Sequence, residues 1–138
     1  MPYRLAWATD VHLNFLDEEG VVDFCKRVLA VDPDALVISG DIAESSNLQF
    51  NLEIVERELE RPIYFVLGNH DYYRGSIKRV RKLAAEITDG SDFLRWLQHT
   101  GPIEIAENTC LVGHDGWSDG RLGNYWESTV LLNDYLLI

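Results

Sequence analysis

The chain has no apolar run approaching the roughly 20 residues needed to cross a bilayer. Its opening, "MPYRLAWATD", lacks the basic, then apolar, then small-residue order of a signal peptide. Neither a membrane span nor a cleaved leader is expected, and a cytoplasmic location is. Cysteine is scarce. Cys25 and Cys110 stand far apart in apolar surroundings without partners at ligand spacing. That pattern fits two buried thiols and argues against a disulfide or a thiolate metal site. Basic residues are outnumbered, 12 against 23 acidic, for a net charge of −11. Such a chain repels nucleic-acid backbones and anionic membranes, so neither is an expected partner. No internal repeat, low-complexity segment or linker interrupts the 138 residues, which suffice for one domain with its own core.

What is present is alternation. Tyr3–Thr9, "YRLAWAT", has the length and composition of a buried strand. Val21, Val22, Phe24, Cys25, Val28 and Leu29 then form one face of a helix that Pro33 stops. "ALVIS" (Ala35–Ser39) is a second strand. Ser46 and Gln49 have the spacing of a capping box and open a helix ending before Pro62. "IYFVL" (Ile63–Leu67) is a third strand, and Ser76 caps a third helix. This β-α-β-α-β-α order predicts a parallel sheet with helices on both faces. Beyond Gly90, "FLRWL" reads as a short helix. "IEIAE" and "CLVG" read as an antiparallel pair joined through Asn108 and Thr109. Arg74, Lys78, Arg79, Arg81 and Lys82 read as a solvated helix face, with Arg74 set apart by its place beside the third strand.

Chemistry gathers where the strands stop. The first strand is followed by Asp10 and His12, the second by Asp41, the third by Asn69, His70 and Asp71. In open α/β sheets the carboxyl ends of the strands border the binding crevice, so these residues should meet at one edge. Two carboxylates brought together oppose double ionisation, and a divalent cation removes that conflict. Asp, His and the Asn carbonyl suit Mn, Fe, Zn or Mg. If strand geometry continues, Asp10 and His12 project to one side and bind one ion together. Gly40 and Gly68 precede Asp41 and Asn69 and allow close backbone approach. A dinucleotide site is set aside, because "TDVHLN" replaces the glycines it needs.

The motifs Asp-x-His, Gly-Asp and Gly-Asn-His-Asp, in this order from about Leu5 to Asp71, resemble the calcineurin-like metallophosphoesterase superfamily. "LVGHDGWSDGRLGNY" is more weakly similar to a segment of some bacterial members. The resemblance implies the βαβαβα half of a four-layer αββα sandwich, two divalent metal ions, and hydrolysis of a small phosphomonoester or phosphodiester. It makes Asp10 and His12 ligands of the first metal, Asp41 the bridging carboxylate and Asn69 a ligand of the second. It makes His70 the group that contacts phosphate and assists the leaving oxygen, and Asp71 the acid that orients His70.

The match is partial. The family also carries a later His ligand and a Gly-His-x-His pair, whereas this chain has only His12, His70, His99 and His114. "GHDG" (Gly113–Gly116) is not that pair, and His114 is read as lining the substrate pocket, with packing beside Trp117 as the other reading. Arg74 is a second candidate substrate contact. His99 is read as a residue acting on a helix C-terminal dipole. Tyr72, Tyr73, Trp117, Tyr125 and Trp126 are candidates to stack on a base, or simply to pack. Residues 1–138 are read as an incomplete domain, the second sheet lying past the apolar "LLNDYLLI". An exposed core edge then implies self-association. The alternative function is a catalytically inactive phosphate- or nucleotide-binding module.

Overall fold

A computed structural model describes residues 2–116 and 120–138. Trp117 therefore lies outside the described residues. Four parallel strands, β1 (Leu5–Ala8), β2 (Ala35–Ser39), β3 (Ile63–Val66) and β4 (Leu94–Trp96), lie in the order β1-β2-β3-β4. Helices α1 (Glu18–Leu29), α2 (Leu48–Leu59) and α3 (Ile77–Asp89) connect them. Short α4 (Leu97–Thr100), the antiparallel pair β5 (Ile103–Ala106) and β6 (Thr109–Leu111), and α5 (Asp134–Leu137) follow.

The three connecting helices α1, α2 and α3 all lie on one face of the sheet, not on both. Residues of α1, α2 and α3 share one core with Leu36, Ile38, Ile63, Phe65, Leu94 and Trp96. The reason is chirality. Strands laid down in sequence order, each joined by a right-handed crossover, put every helix on the same side. The opposite face meets α4, β5 and β6 instead: Ala35, Tyr64 and Leu97 pack with Val37, Val66, Ile103, Ile105 and Leu111. At the β1 edge this face is open, so Trp7 is 74% exposed and Leu5 40%. The first strand is thus an edge strand and not a buried one.

Local chemistry explains the helix starts. Asp17 caps α1 by accepting from the Gly20 amide, and Ser76 caps α3 by accepting from Arg79. Ser46 does not cap α2. Asn47 precedes that helix, and its side-chain oxygen turns back to the Glu44 amide. "FLRWL" is strand β4 leading into α4, because Leu94 and Trp96 alternate inward around Arg95. The Ser91 hydroxyl accepts from Phe93 and Leu94, and the Thr88 hydroxyl accepts from Trp96. These side-chain acceptors hold the segment extended against its weak helical pattern. The β5–β6 turn is Glu107–Asn108, with Asn108 left-handed and Thr109 already in the strand. Cys25 is buried in the core, but Cys110 is exposed on β6, a two-stranded ribbon with one uncovered side. Among the described residues no helix is long and apolar enough to cross a membrane.

Candidate metal centre

Three loops meet at the carboxyl ends of β1, β2 and β3. The first runs alongside the second: the amides of Asp10, His12 and Leu13 donate to the carbonyls of Gly40, Asp41 and Ile42. The second and third touch through glycines. Gly40 has φ +89°, and a Cβ there would lie 2.9 Å from the Gly68 nitrogen. A Cβ on Gly68 would lie 2.1 Å from Asp41 Oδ1 and 2.6 Å from the Asp41 nitrogen. Only hydrogen fits at either point.

Asp71 locks the junction. One oxygen accepts from the Ile42 and Ala43 amides, both at 2.9 Å, and the other from Gly68 at 2.8 Å. The carboxyl is fully buried. Burial pushes it up to about 7, against the pull of the three amides, with Asp41 adding to the rise. The sequence reading gave Asp71 the task of orienting the His70 imidazole. Its hydrogen bonds among the described residues run instead to backbone amides, those of Ile42 and Ala43 in the second loop and that of Gly68 in its own.

The locked loops bring His12, Asp41 and His70 together, each offering a ligand atom within 4.8 Å of the others. Asp41 Oδ1 takes the His70 backbone amide at 3.0 Å, while Oδ2 stands 3.9 Å from His12 Nε2. The imidazole rings of His12 and His70 are 4.7 Å apart, edge to face. His12 Nδ1 is buried with no hydrogen-bond partner among the described residues. A buried ring nitrogen left unpaired is costly, and a metal ion is one partner that removes the cost. One carboxylate and two imidazoles form a donor set suited to divalent transition metals and zinc. Asp10, His12 and Asp41 all have left-handed backbones, at φ 51°, 44° and 51°. Such conformations oppose side-chain sterics by about 1 kcal/mol or more each and concentrate at functional loops.

Asp10 is outside the group. It is exposed, and its carboxylate takes the Thr9 hydroxyl. Strand geometry ends at Ala8, and Asp10 and His12 both turn left-handed, so the alternation expected to align them no longer holds. Asn69 lies beside the group. Its amide nitrogen donates to Asp134 at 2.8 Å and to the Tyr73 hydroxyl at 3.3 Å. Arg74 is exposed and paired with Glu44 at 2.8 Å. His114 is exposed and accepts from the Gly116 amide in a local turn, and it is not one of the three grouped residues. His99 does sit in the last turn of α4, where it meets Asp89 at 2.9 Å and stacks on Trp96. Tyr72 and Tyr73 are buried, whereas Tyr125 and Trp126 are exposed.

A scan against family models finds the calcineurin-like phosphoesterase model matching residues 3–134. The chain belongs to the calcineurin-like phosphoesterase family. No curated protein and no solved structure matches it. The matched range contains the strand-end loops that hold His12, Asp41 and His70.

Two carboxylates escaped the sequence reading. Asp115 is buried and accepts from the Leu67 amide at 2.9 Å and the Trp96 indole at 3.0 Å. Arg81 stands 3.4 Å from its other oxygen and lies over the Trp96 ring, so Arg81 turns inward and is not part of a solvated basic face. The signal for Asp115 in the sequence is the aspartate of "GHDG", directly after His114. Asp134 is the second, and it is the one charged residue in the last eleven.

Proposed function

We propose that the chain hydrolyses a small phosphomonoester or phosphodiester with a divalent metal held by His12 and Asp41, and that Asn69 and His70 complete the site. The observation that carries this reading is the grouping of His12, Asp41 and His70 within 4.8 Å, with His12 Nδ1 buried and unpaired among the described residues. When bound, such an ion supplies Lewis-acid polarisation of the phosphate and lowers the pKa of water at the site. The remaining work belongs to the side chains. Asp41 is held by its Oδ1 on the His70 amide, which leaves Oδ2 facing His12. His70 rests its ring against Tyr73, with centroids 4.3 Å apart, and its role in this reading is to give a proton to the leaving oxygen. Asp71 keeps the loops that carry Asp41 and His70 in register.

The test is metal per chain after equilibration with Mn, followed by assays on p-nitrophenyl phosphate and bis(p-nitrophenyl) phosphate. His12→Ala and Asp41→Asn are expected to lose bound metal. His70→Asn is expected to keep metal and lose at least about a hundredfold in rate, the usual reach of a positioned acid. Loss of metal in His70→Asn would reassign that ring to the ion. Metal uptake without turnover of either ester would leave a phosphate-binding module as the function.

A further inference from the structure

We infer that Asp134, from the end of the chain, is a positioning residue that sets the orientation of Asn69 and, through Tyr73, of His70. The inference rests on the metal-site reading above. One carboxylate oxygen does both tasks. Asp134 Oδ1 accepts from Asn69 Nδ2 at 2.8 Å and from the Tyr73 hydroxyl at 2.6 Å. Asn69 Nδ2 also reaches the Tyr73 hydroxyl at 3.3 Å, which closes a triangle.

An ionised carboxylate only accepts hydrogen bonds, so the NH2 end of Asn69 must face Asp134. The carbonyl end, the one able to bind a cation, is then turned away from Asp134. Without that acceptor the two ends of the amide are nearly equivalent, and either can turn toward the site. Tyr73 carries the second effect. It is 4% exposed, and its ring lies 4.3 Å from the His70 ring at 30°. Its hydroxyl is the donor in the 2.6 Å bond to Asp134. A further bond fixes the segment in place: the Arg74 amide donates to the Leu137 carbonyl at 2.7 Å. Helix α5 is thereby fastened along the loop after β3, against the residues that bear the chemistry.

Positioning, charge and obstruction separate in one experiment on the whole chain. Asp134→Ala and Asp134→Asn are compared with the parent by Mn titration and, in metal-free protein, by the side-chain amide resonances of Asn69. The backbone amide spectrum reports whether the fold is kept. In Asp134→Ala the Asn69 amide pair should collapse toward free-asparagine shifts, and Mn should bind about tenfold more weakly, the scale of one lost hydrogen bond to a charged group. In Asp134→Asn the new carbonyl accepts the same bonds, so the Asn69 resonances should stay dispersed and Mn affinity should return to within about threefold. Asn69 resonances unmoved in Asp134→Ala would overturn the inference. So would equal weakening of Mn in both variants, which marks a role for charge alone. Tighter Mn binding in Asp134→Ala would overturn it too, marking the segment as an obstruction. If the parent takes up no Mn, the metal reading fails, and the Asn69 resonances still decide whether Asp134 orients that side chain.

Discussion

Replacing Gly68 by alanine places a methyl group where the structure has none to spare. The new carbon would sit 2.6 Å from the Asp41 backbone nitrogen and 2.1 Å from Asp41 Oδ1. The side-chain oxygen can rotate away, but only by giving up the 3.0 Å bond from the His70 amide. The backbone nitrogen has less freedom, because its neighbours Ile42 and Ala43 are tied to Asp71 and fully buried. Overpacking of this kind costs about 1–3 kcal/mol. The lost hydrogen bond to a carboxylate adds about 1.5–3 kcal/mol. Gly68→Ala should therefore lose about 4 kcal/mol in urea unfolding, on the order of 10 °C in Tm for a domain of this size. It should also weaken Mn binding, because Asp41 is displaced from His12. Gly90→Ala is the control. It replaces a glycine at the C-terminal cap of α3 with an ordinary φ of −91°, and its tightest contact would be 3.3 Å. A Gly68→Ala protein within about 1 kcal/mol of the parent, with unchanged Mn affinity, would refute the close apposition of the two loops.

Asp71→Ala leaves the amides of Ile42, Ala43 and Gly68 without their acceptor. At about 1–3 kcal/mol for each stranded donor, less the relief of a buried carboxyl, the expected loss is about 3 kcal/mol by urea unfolding. A loss below about 1 kcal/mol would mean the loops hold without it. The two thiols should differ sharply toward a thiol reagent: Cys110 reacts in the native protein, while Cys25 reacts only on unfolding. Burial, with Glu58 second, pushes the Cys25 thiol up to about 11, well above the usual thiol range. The folded state thus holds the proton longer than the unfolded state. The associated stability is full below about pH 9 and lost as pH rises toward about 11, up to about 3 kcal/mol. Cys25→Ala should flatten that alkaline slope in a pH series of urea melts, and an unchanged slope would count against the buried thiol as its source.

The sequence by itself determined the elements whose causes are local. The alternation of apolar runs placed β2 at Ala35–Ser39 and β3 from Ile63, and Ser76 announced the start of α3. The strand-end motifs were legible for the same reason, since Gly-Asp and Gly-Asn-His-Asp each follow an apolar strand directly. Only the tertiary structure decided what depends on contacts between distant segments. Chirality of successive crossovers put the helices on one face, and no periodicity within a single helix reports that. The left-handed turn after Ala8 carried Asp10 out of the group and left His12 in it. Two of the three amides that donate to Asp71 lie 28 and 29 residues earlier, and such distant donors to a carboxylate cannot be read from its neighbours in the chain. Asp115 and Asp134 reach across 48 and 65 residues to Leu67 and Asn69. In the sequence each is one acid among 23 acidic residues. It is the donors each one meets, set by how the chain closes on itself, that give these two their place: the Leu67 amide and Trp96 indole for buried Asp115, and the Asn69 amide and Tyr73 hydroxyl for partly buried Asp134.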